Sequence, residues 1–376
     1  MNRIQSIDAL RGVVMIIMLL DHVRETFYLH EQVSDPVDVT VTEPALFSIR
    51  LLSSLCAPIF VLLTGLGAWL YGQKHSRSET SVFLLKRGLF LVVLELTIIN
   101  FAWTGSFPPS MIFLQVIWVI GLAMIALAGL LYLPRMAQLA LAGLLIAGHH
   151  LLAGITFEPG SIGYIPWAIL YERSWIEFSD VFRARTSYPL LPWVGVILLG
   201  YGIGPWFSLS KEAARRQRTL LLAGASFIVA FLVLRWLNVY GDEPRLTDQS
   251  VLTEVMSFFS LTKYPPSLLF NLSTIGVGFF LMAWFERLGE HKALTAVAIF
   301  GAAPMFFYIL HLYVLKLIYL ACVSAFGANQ GDYYGFGSTG PLWLVFIILT
   351  VLLYFPTAWF SGLKRRRRDI TWLKYF

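Results

Sequence analysis

Arg11 and His22 are separated by ten residues within the first apolar stretch of the chain. Eleven helical steps of about 100° close three turns with about 20° left over, so both side chains leave one face. At 1.5 Å per residue they stand about 16 Å apart along the axis. Asp8 falls within the same sector of about 60° and, three residues before Arg11, is spaced to pair with it. A cation at one depth and an imidazole at another suit a long substrate that crosses a lipid layer. Neutral imidazole near pH 7 can take a proton from an attacking hydroxyl or amine, or can itself accept an acyl group. Glu25 follows His22 by three residues and is placed to orient the ring, whereas the adjacent Asp21 leaves a different face.

Other histidines have plainer alternatives. His30 sits near the outer end of the same helix or just past it, where an exposed interfacial role competes with a catalytic one. His311 lies in Phe306-Phe307-Tyr308-Ile309-Leu310-His311-Leu312-Tyr313, deep in an apolar run, with Lys316 five residues on. A polar group there must find a partner, so a satisfied core histidine and a functional one are both open. His149 and His150 are adjacent on a helix end. They point in different directions and make a poor two-ligand metal site, and no metal is expected. Arg50, Glu95, Asn100, Gln115, Arg235 and Asn271 fall in other apolar stretches, and some of them must pair across helices.

The elements that carry these residues are set by hydrophobicity. The 376-residue chain is 57% hydrophobic and 13% charged, with a mean hydropathy of +0.71. That composition excludes a soluble globule. Apolar runs reach the 18–20 or so residues a spanning helix needs. The expected class is an all-α polytopic membrane protein. About ten helices, at roughly 9–29, 46–71, 83–103, 113–132, 136–153, 188–207, 219–238, 266–285, 303–325 and 341–361, are bundled around a central tunnel. The stretch 293–325 contains Pro304 and reads as a short interfacial or re-entrant piece followed by a full helix. The N-terminal stretch, broken by charges and without a cleavage site, reads as a retained helix. Residues 1–376 form a single domain on this reading. Cys56 and Cys322 lie in apolar segments and form no disulfide or metal pattern.

Charge orients the bundle. Arg3, Lys74, Arg77, Lys86, Arg87, Arg135, Lys211, Arg215, Arg216, Arg218, Arg287, Lys292, Lys364 to Arg368, and Lys374 fall on one side of a ten-helix arrangement. The other side has only Arg173, Arg183, Arg185, Arg245 and Lys263. The positive-inside rule places both termini in the cytoplasm. The basic tail, 362–376, is then a topology anchor, and the net charge of +6 does not call for nucleic acid. Long outer loops, about 154–187 and 239–265, hold aromatic and charged residues and form the recognition surface. The prolines of Tyr188 to Gly195 and of Lys263 to Leu268 open helices, and either frame an outer vestibule or simply end loops.

The order of several motifs resembles one family. Ser6-Ile7-Asp8-Ala9-Leu10-Arg11-Gly12, then Met18 to His22, followed by Tyr188 to Gly195, Lys263 to Leu268 and Phe307 to Leu312, is similar to bacterial relatives of heparan-alpha-glucosaminide N-acetyltransferase. The Arg-x10-His spacing also resembles the broader membrane acyltransferases that decorate sugars. The resemblance implies acetyl transfer from cytoplasmic acetyl-CoA to a sugar amine or hydroxyl on the far side of a bacterial plasma membrane. Arg11, with Lys86 and Arg87, would attract the CoA phosphates, and Asp8, His22, His30 and His311 are the catalytic candidates. The heparan enzymes carry Asn at the Arg-x10 position and their active histidine further on, so His22 and His30 both stay candidates. Membrane lipid, acyl-CoA and a glycan or amino-sugar acceptor are the implied partners, and a homodimer is left open. The competing class is a proton-coupled transporter, with Asp8, Arg11, Glu95, His311 and Lys316 as the relay.

Overall fold

The computed structural model describes residues 4–208, 212–289, 291–367 and 369–376. Arg3, Lys211 and Arg368, and the side chain of Lys374, which enter the charge argument, lie outside the described residues. Helices α1 (Gln5–Phe27), α2 (Pro44–Ser53), α3 (Cys56–Gly72) and α4 (Arg77–Leu94) come first. A π-helical turn, Glu95–Ile99, carries α4 into α5 (Asn100–Thr104). Strand β1 (Met111–Leu114), α6 (Val116–Leu130), α7 (Arg135–Ala147) and α8 (Tyr164–Leu170) follow. Next are strands β2 (Trp175–Ser179) and β3 (Phe182–Thr186), then α9 (Leu191–Gly202) and α10 (Ala213–Leu237). The chain ends with α11 (Val251–Phe259), α12 (Leu268–Leu288), α13 (Lys292–Ala302), α14 (Pro304–Phe326) and α15 (Thr339–Arg366).

All ten apolar stretches are helical over most of their length. Among the described residues, five helices are long and apolar enough by themselves to cross a bilayer: 44–72, α10, α12, α14 and α15. Only 22% of the apolar window of α10 is buried, and the same holds for α15. Leu222, Val229 and Trp236 of α10, and Ile347, Val351 and Phe355 of α15, stand exposed. Water would not tolerate such stripes, and lipid does. The protein is an integral membrane protein. Helix α1 is 23 residues long, about 34 Å at 1.5 Å per residue, and differs from those five by its charged groups.

Several boundaries differ from the periodicity reading, each for a local reason. The stretch 46–71 is broken at Ser54 and Leu55. Pro58 lacks an N–H and has no donor for the Ser54 carbonyl, while the Ser53 and Ser54 hydroxyls both donate to the Arg50 carbonyl. The stretch 293–325 divides at Ala303, which lies outside the helical region just before Pro304. A short helix followed by a long one is what the sequence led us to expect. The stretch 113–132 opens as strand β1 instead, and α6 begins only at Val116. The loop 154–187 is not irregular: it holds α8 and the β2–β3 hairpin, and the loop 239–265 holds α11. Among the described residues the fold is therefore helical with one three-stranded sheet, ordered β1-β3-β2. β3 pairs in parallel with β1 and antiparallel with β2.

The chain divides into two compact units, one of Met1–Cys56, Leu246–Ser260 and Phe280–Phe376, the other of Ala57–Arg245 and Leu261–Phe279. In the first, α1 crosses α13 at glycines. A Cβ on Gly12 would lie 2.0 Å from the Val297 carbonyl oxygen, and one on Gly301 would lie 1.9 Å from the Asp8 carbonyl oxygen. In the second, α3 and α9 approach in the same way at Gly65 and Gly200, against the carbonyls of Ile197 and Leu62. Small residues let membrane helices meet backbone to backbone, where dispersion and polar contacts replace the missing hydrophobic drive.

Candidate active site

Helix α1 delivers His22 into the interior of the first unit, where α14 delivers His311. The two are 289 residues apart in sequence and both are buried. His22 Nδ1 and His311 Nε2 are 2.7 Å apart, and the rings stack at 5.0 Å with an 18° tilt. Tyr308 meets the His22 ring edge-on at 5.7 Å. His311 Nδ1 lies 2.7 Å from the Phe307 carbonyl oxygen. A carbonyl only accepts, so His311 Nδ1 carries its proton. Neutral His311 then accepts at Nε2, and His22 donates from Nδ1. That tautomer leaves the His22 lone pair on Nε2, where a proton-accepting base needs it. The order Phe307 carbonyl, His311, His22 is a hydrogen-bonded chain that fixes the His22 ring in orientation and tautomer.

Asp8 and Arg11 pair as their spacing predicts, at 3.0 Å, and Arg11 Nη1 also donates to the Gly301 carbonyl at 3.1 Å. Both side chains keep some exposure, 21% for Arg11 and 16% for Asp8. Asp8 is thus a partner of Arg11, with its carboxylate turned to the guanidinium. Glu25 does not orient His22. It pairs with Arg24 at 3.3 Å, and Arg24 also takes the Asp21 carboxylate at 3.0 and 3.1 Å. The orienting group is His311, which came from a distant helix. His30 is placed past the end of α1, its ring stacked on Tyr28 at 5.6 Å and packed against Gly335.

In the second unit Lys86 is exposed and Arg87 half-buried on α4. Arg77 and Arg135, read from sequence as topology anchors, line a cavity of about 190 Å³ with Trp69, Gln138 and Tyr201. A cation count in loops gives no sign of such a cavity. Glu95 serves the structure, since its buried carboxylate accepts from the Ile117 and Trp118 N–H groups, both at 3.0 Å, at the start of α6. Helix N-termini leave such donors unmatched and favour a carboxylate. Glu95→Ala is expected to cost about 1–3 kcal/mol of stability, read as a lower thermal midpoint, while Glu95→Gln, which keeps an acceptor, retains most of it. A proton relay through Glu95 would instead make the glutamine variant inactive.

Two of the later motifs, those of Tyr188 and of Lys263, meet in the second unit. Tyr188 and Tyr264 contact edge to face at 4.7 Å, with their hydroxyls 3.1 Å apart. The Lys263 ammonium lies 5.3 Å from the Tyr264 ring centre and 5.9 Å from that of Tyr188. Asp242 braces the segment by accepting from the Thr262 N–H and hydroxyl. His150 accepts the Leu268 N–H at the head of α12, and His149 Nδ1 lies 3.1 Å from the Leu145 carbonyl oxygen, so both histidines serve helix ends.

The family model for the catalytic domain of heparan-alpha-glucosaminide N-acetyltransferase matches residues 3–241, well over half of the chain. The chain belongs to this family. It is a membrane acyltransferase. No curated protein matches the chain. The matched span of this acyltransferase holds Asp8, Arg11, His22, His30, Lys86 and Arg87, and ends before Lys263 and His311. The partner of His22 thus comes from outside the matched residues, and only folding joins the two.

Proposed function

We propose that this acyltransferase moves an acetyl group from cytoplasmic acetyl-CoA to an amine or hydroxyl of a sugar on the outer face of a bacterial plasma membrane. In the proposed topology about ten spans surround a passage and both termini are cytoplasmic. Arg11, toward the cytoplasmic end of α1, supplies positive charge for the CoA phosphates, as do Lys86 and Arg87 on α4. His22, toward the other end of α1, accepts at Nε2 the proton of the attacking amine or hydroxyl. The new bond forms to the thioester carbonyl carbon, and the bond from that carbon to sulfur breaks. The proton held on His22 passes to the leaving thiolate, which departs as CoA thiol. General-base help of this kind is worth about 10²–10⁴ in rate.

The observation that carries this reading is the buried His22–His311 hydrogen bond at 2.7 Å, anchored on the Phe307 carbonyl. Its experimental test is transfer in liposomes with acetyl-CoA on one side and glucosamine on the other. Labelled acetyl should appear on the sugar without mixing of the compartments. Acetyl-CoA at a hundredfold over its Kd should also stabilise the folded protein by about 2.7 kcal/mol. A carrier of an unrelated solute would show neither effect, and that result would refute the reading.

A further inference from the structure

Four helices of the second unit begin or end around one cavity. Arg77 is the first residue of α4 and Arg135 the first of α7, while Trp69 and Tyr201 lie within a turn of the ends of α3 and α9. With Leu133 and Gln138 they line a volume of about 190 Å³. Among the described residues no carboxylate lines this cavity, and neither arginine has one within ion-pair distance. Glu79, two residues after Arg77, leaves α4 about 200° further round the helix. Its carboxylate accepts the Ser76 N–H at 2.8 Å and caps that helix. The buried Gln138 amide donates to the Leu130 carbonyl, so the charge at this cavity comes from the two arginines.

Arg135 donates from one Nη to the Gly202 carbonyl at the end of α9, at 3.2 Å. Arg77 makes no hydrogen bond among the described residues, and its guanidinium carbon stands 6.0 Å from the Tyr132 ring centre. A guanidinium carries five N–H donors, so most of those in this pair are unmatched by protein. Both arginines also start helices, where the macrodipole disfavours a cation. Helix α7 has no acid in its first turn, and Pro134 before it gives no side-chain cap. An anion between the two guanidiniums would relieve both. Leu133 in the lining is exposed, as are Tyr132 and Met136 beside it and Arg135 in the chain. Cations next to exposed apolar side chains suit a ligand charged at one end and apolar at the other. Trp69 and Tyr201 are half-buried, and such rings settle at headgroup level. Pockets for drug-sized ligands run to about 300–1,000 Å³, so this smaller one admits a phosphate group and not a nucleotide. The positive-inside count puts it on the cytoplasmic side, the leaflet that carries anionic lipid.

We propose that this cavity binds the phosphate of an anionic phospholipid. Arg77 and Arg135 take the phosphate, which guanidiniums match in two-point fashion, and the acyl chains run against Leu133 and Met136. The site uses none of the residues assigned to acyl transfer and does not depend on that reading.

The test is native mass spectrometry of the delipidated full chain in detergent, titrated with phosphatidylglycerol or with dioleoylglycerol, which has the tails without the phosphate. Glycerol 3-phosphate, which has the phosphate without the tails, and acetyl-CoA are then added as competitors. Phosphatidylglycerol should bind about tenfold tighter than dioleoylglycerol and should resist both competitors. Arg77→Gln and Arg135→Gln should each remove about that tenfold. Arg183→Gln, which deletes an exposed cation of β3 outside the cavity, should bind like wild type. Arg77 is exposed and makes no hydrogen bond among the described residues, so its variant decides the outcome even if losing the Gly202 contact unfolds the Arg135 variant. Equal binding of the two lipids, wild-type binding by Arg77→Gln, or an equal loss in Arg183→Gln would each overturn the proposal. Displacement by glycerol 3-phosphate at concentrations matching the lipid would give the cavity to free phosphate esters, and displacement by acetyl-CoA would give it to the donor. Either result overturns the lipid site.

Discussion

Replacing His22 with alanine is expected to lower acetyl transfer by about 10²–10⁴-fold, with acetyl-CoA still binding. The variant removes the proposed base and leaves His311 Nε2 without its donor. That cost to stability, about 1–3 kcal/mol for a buried group left unmatched, should be visible in the thermal midpoint. His311→Ala should also slow transfer, since it removes the acceptor that holds the His22 tautomer. Combining the two should cost no more activity than His22→Ala alone, because residues acting as one unit are far from additive. His30→Ala should stay near wild type, since His30 stacks on Tyr28 beyond the end of α1, away from the hydrogen-bonded pair. Turnover of labelled acetyl-CoA by the four proteins decides the matter. Full activity in His22→Ala would remove the pair from the mechanism, and a dead His30→Ala beside it would move the chemistry outward.

Gly301→Leu should damage both stability and donor binding. A Cβ at that position would meet the Asp8 carbonyl oxygen at 1.9 Å and the Gly12 nitrogen at 2.8 Å. These are backbone atoms of α1, so no side chain can swing aside, and the helices must separate. Overpacking typically costs about 1–3 kcal/mol, occasionally more, and here the backbone contact favours the upper end. Separation also withdraws the Gly301 carbonyl from the Arg11 guanidinium. The expected result is a lower unfolding midpoint in detergent together with a raised KM for acetyl-CoA. Gly67→Leu is the matched control, because an added Cβ there meets nothing within 4 Å. Equal midpoints for the two variants would show that the α1–α13 crossing is not close-packed.

What could be read from the residues alone was local or compositional. Helicity, apolar stretches and the break at Pro304 follow from composition and from rules acting over one turn. Arg11 and His22 share a face because a regular helix converts spacing into angle, and Asp8 pairs with Arg11 because three residues bring it round. The wrong assignments were those in which a nearby residue was asked to do the work of a distant one. Glu25 is spaced to orient His22, yet its chain neighbour Arg24 is its partner, and His311 from α14 holds the ring instead. Phe113 and Leu114, the last two residues of β1, read as the start of an apolar helix because four residues have no period to show until β3 pairs with them across more than sixty positions of chain. Arg183 and Arg185 are small exceptions in a charge count, and share a face only because β2 and β3 set their register. Periodicity records what each segment does by itself. The pairing of two imidazoles, or the meeting of two arginines at one cavity, is decided by which segments pack together, and that depends on the whole chain.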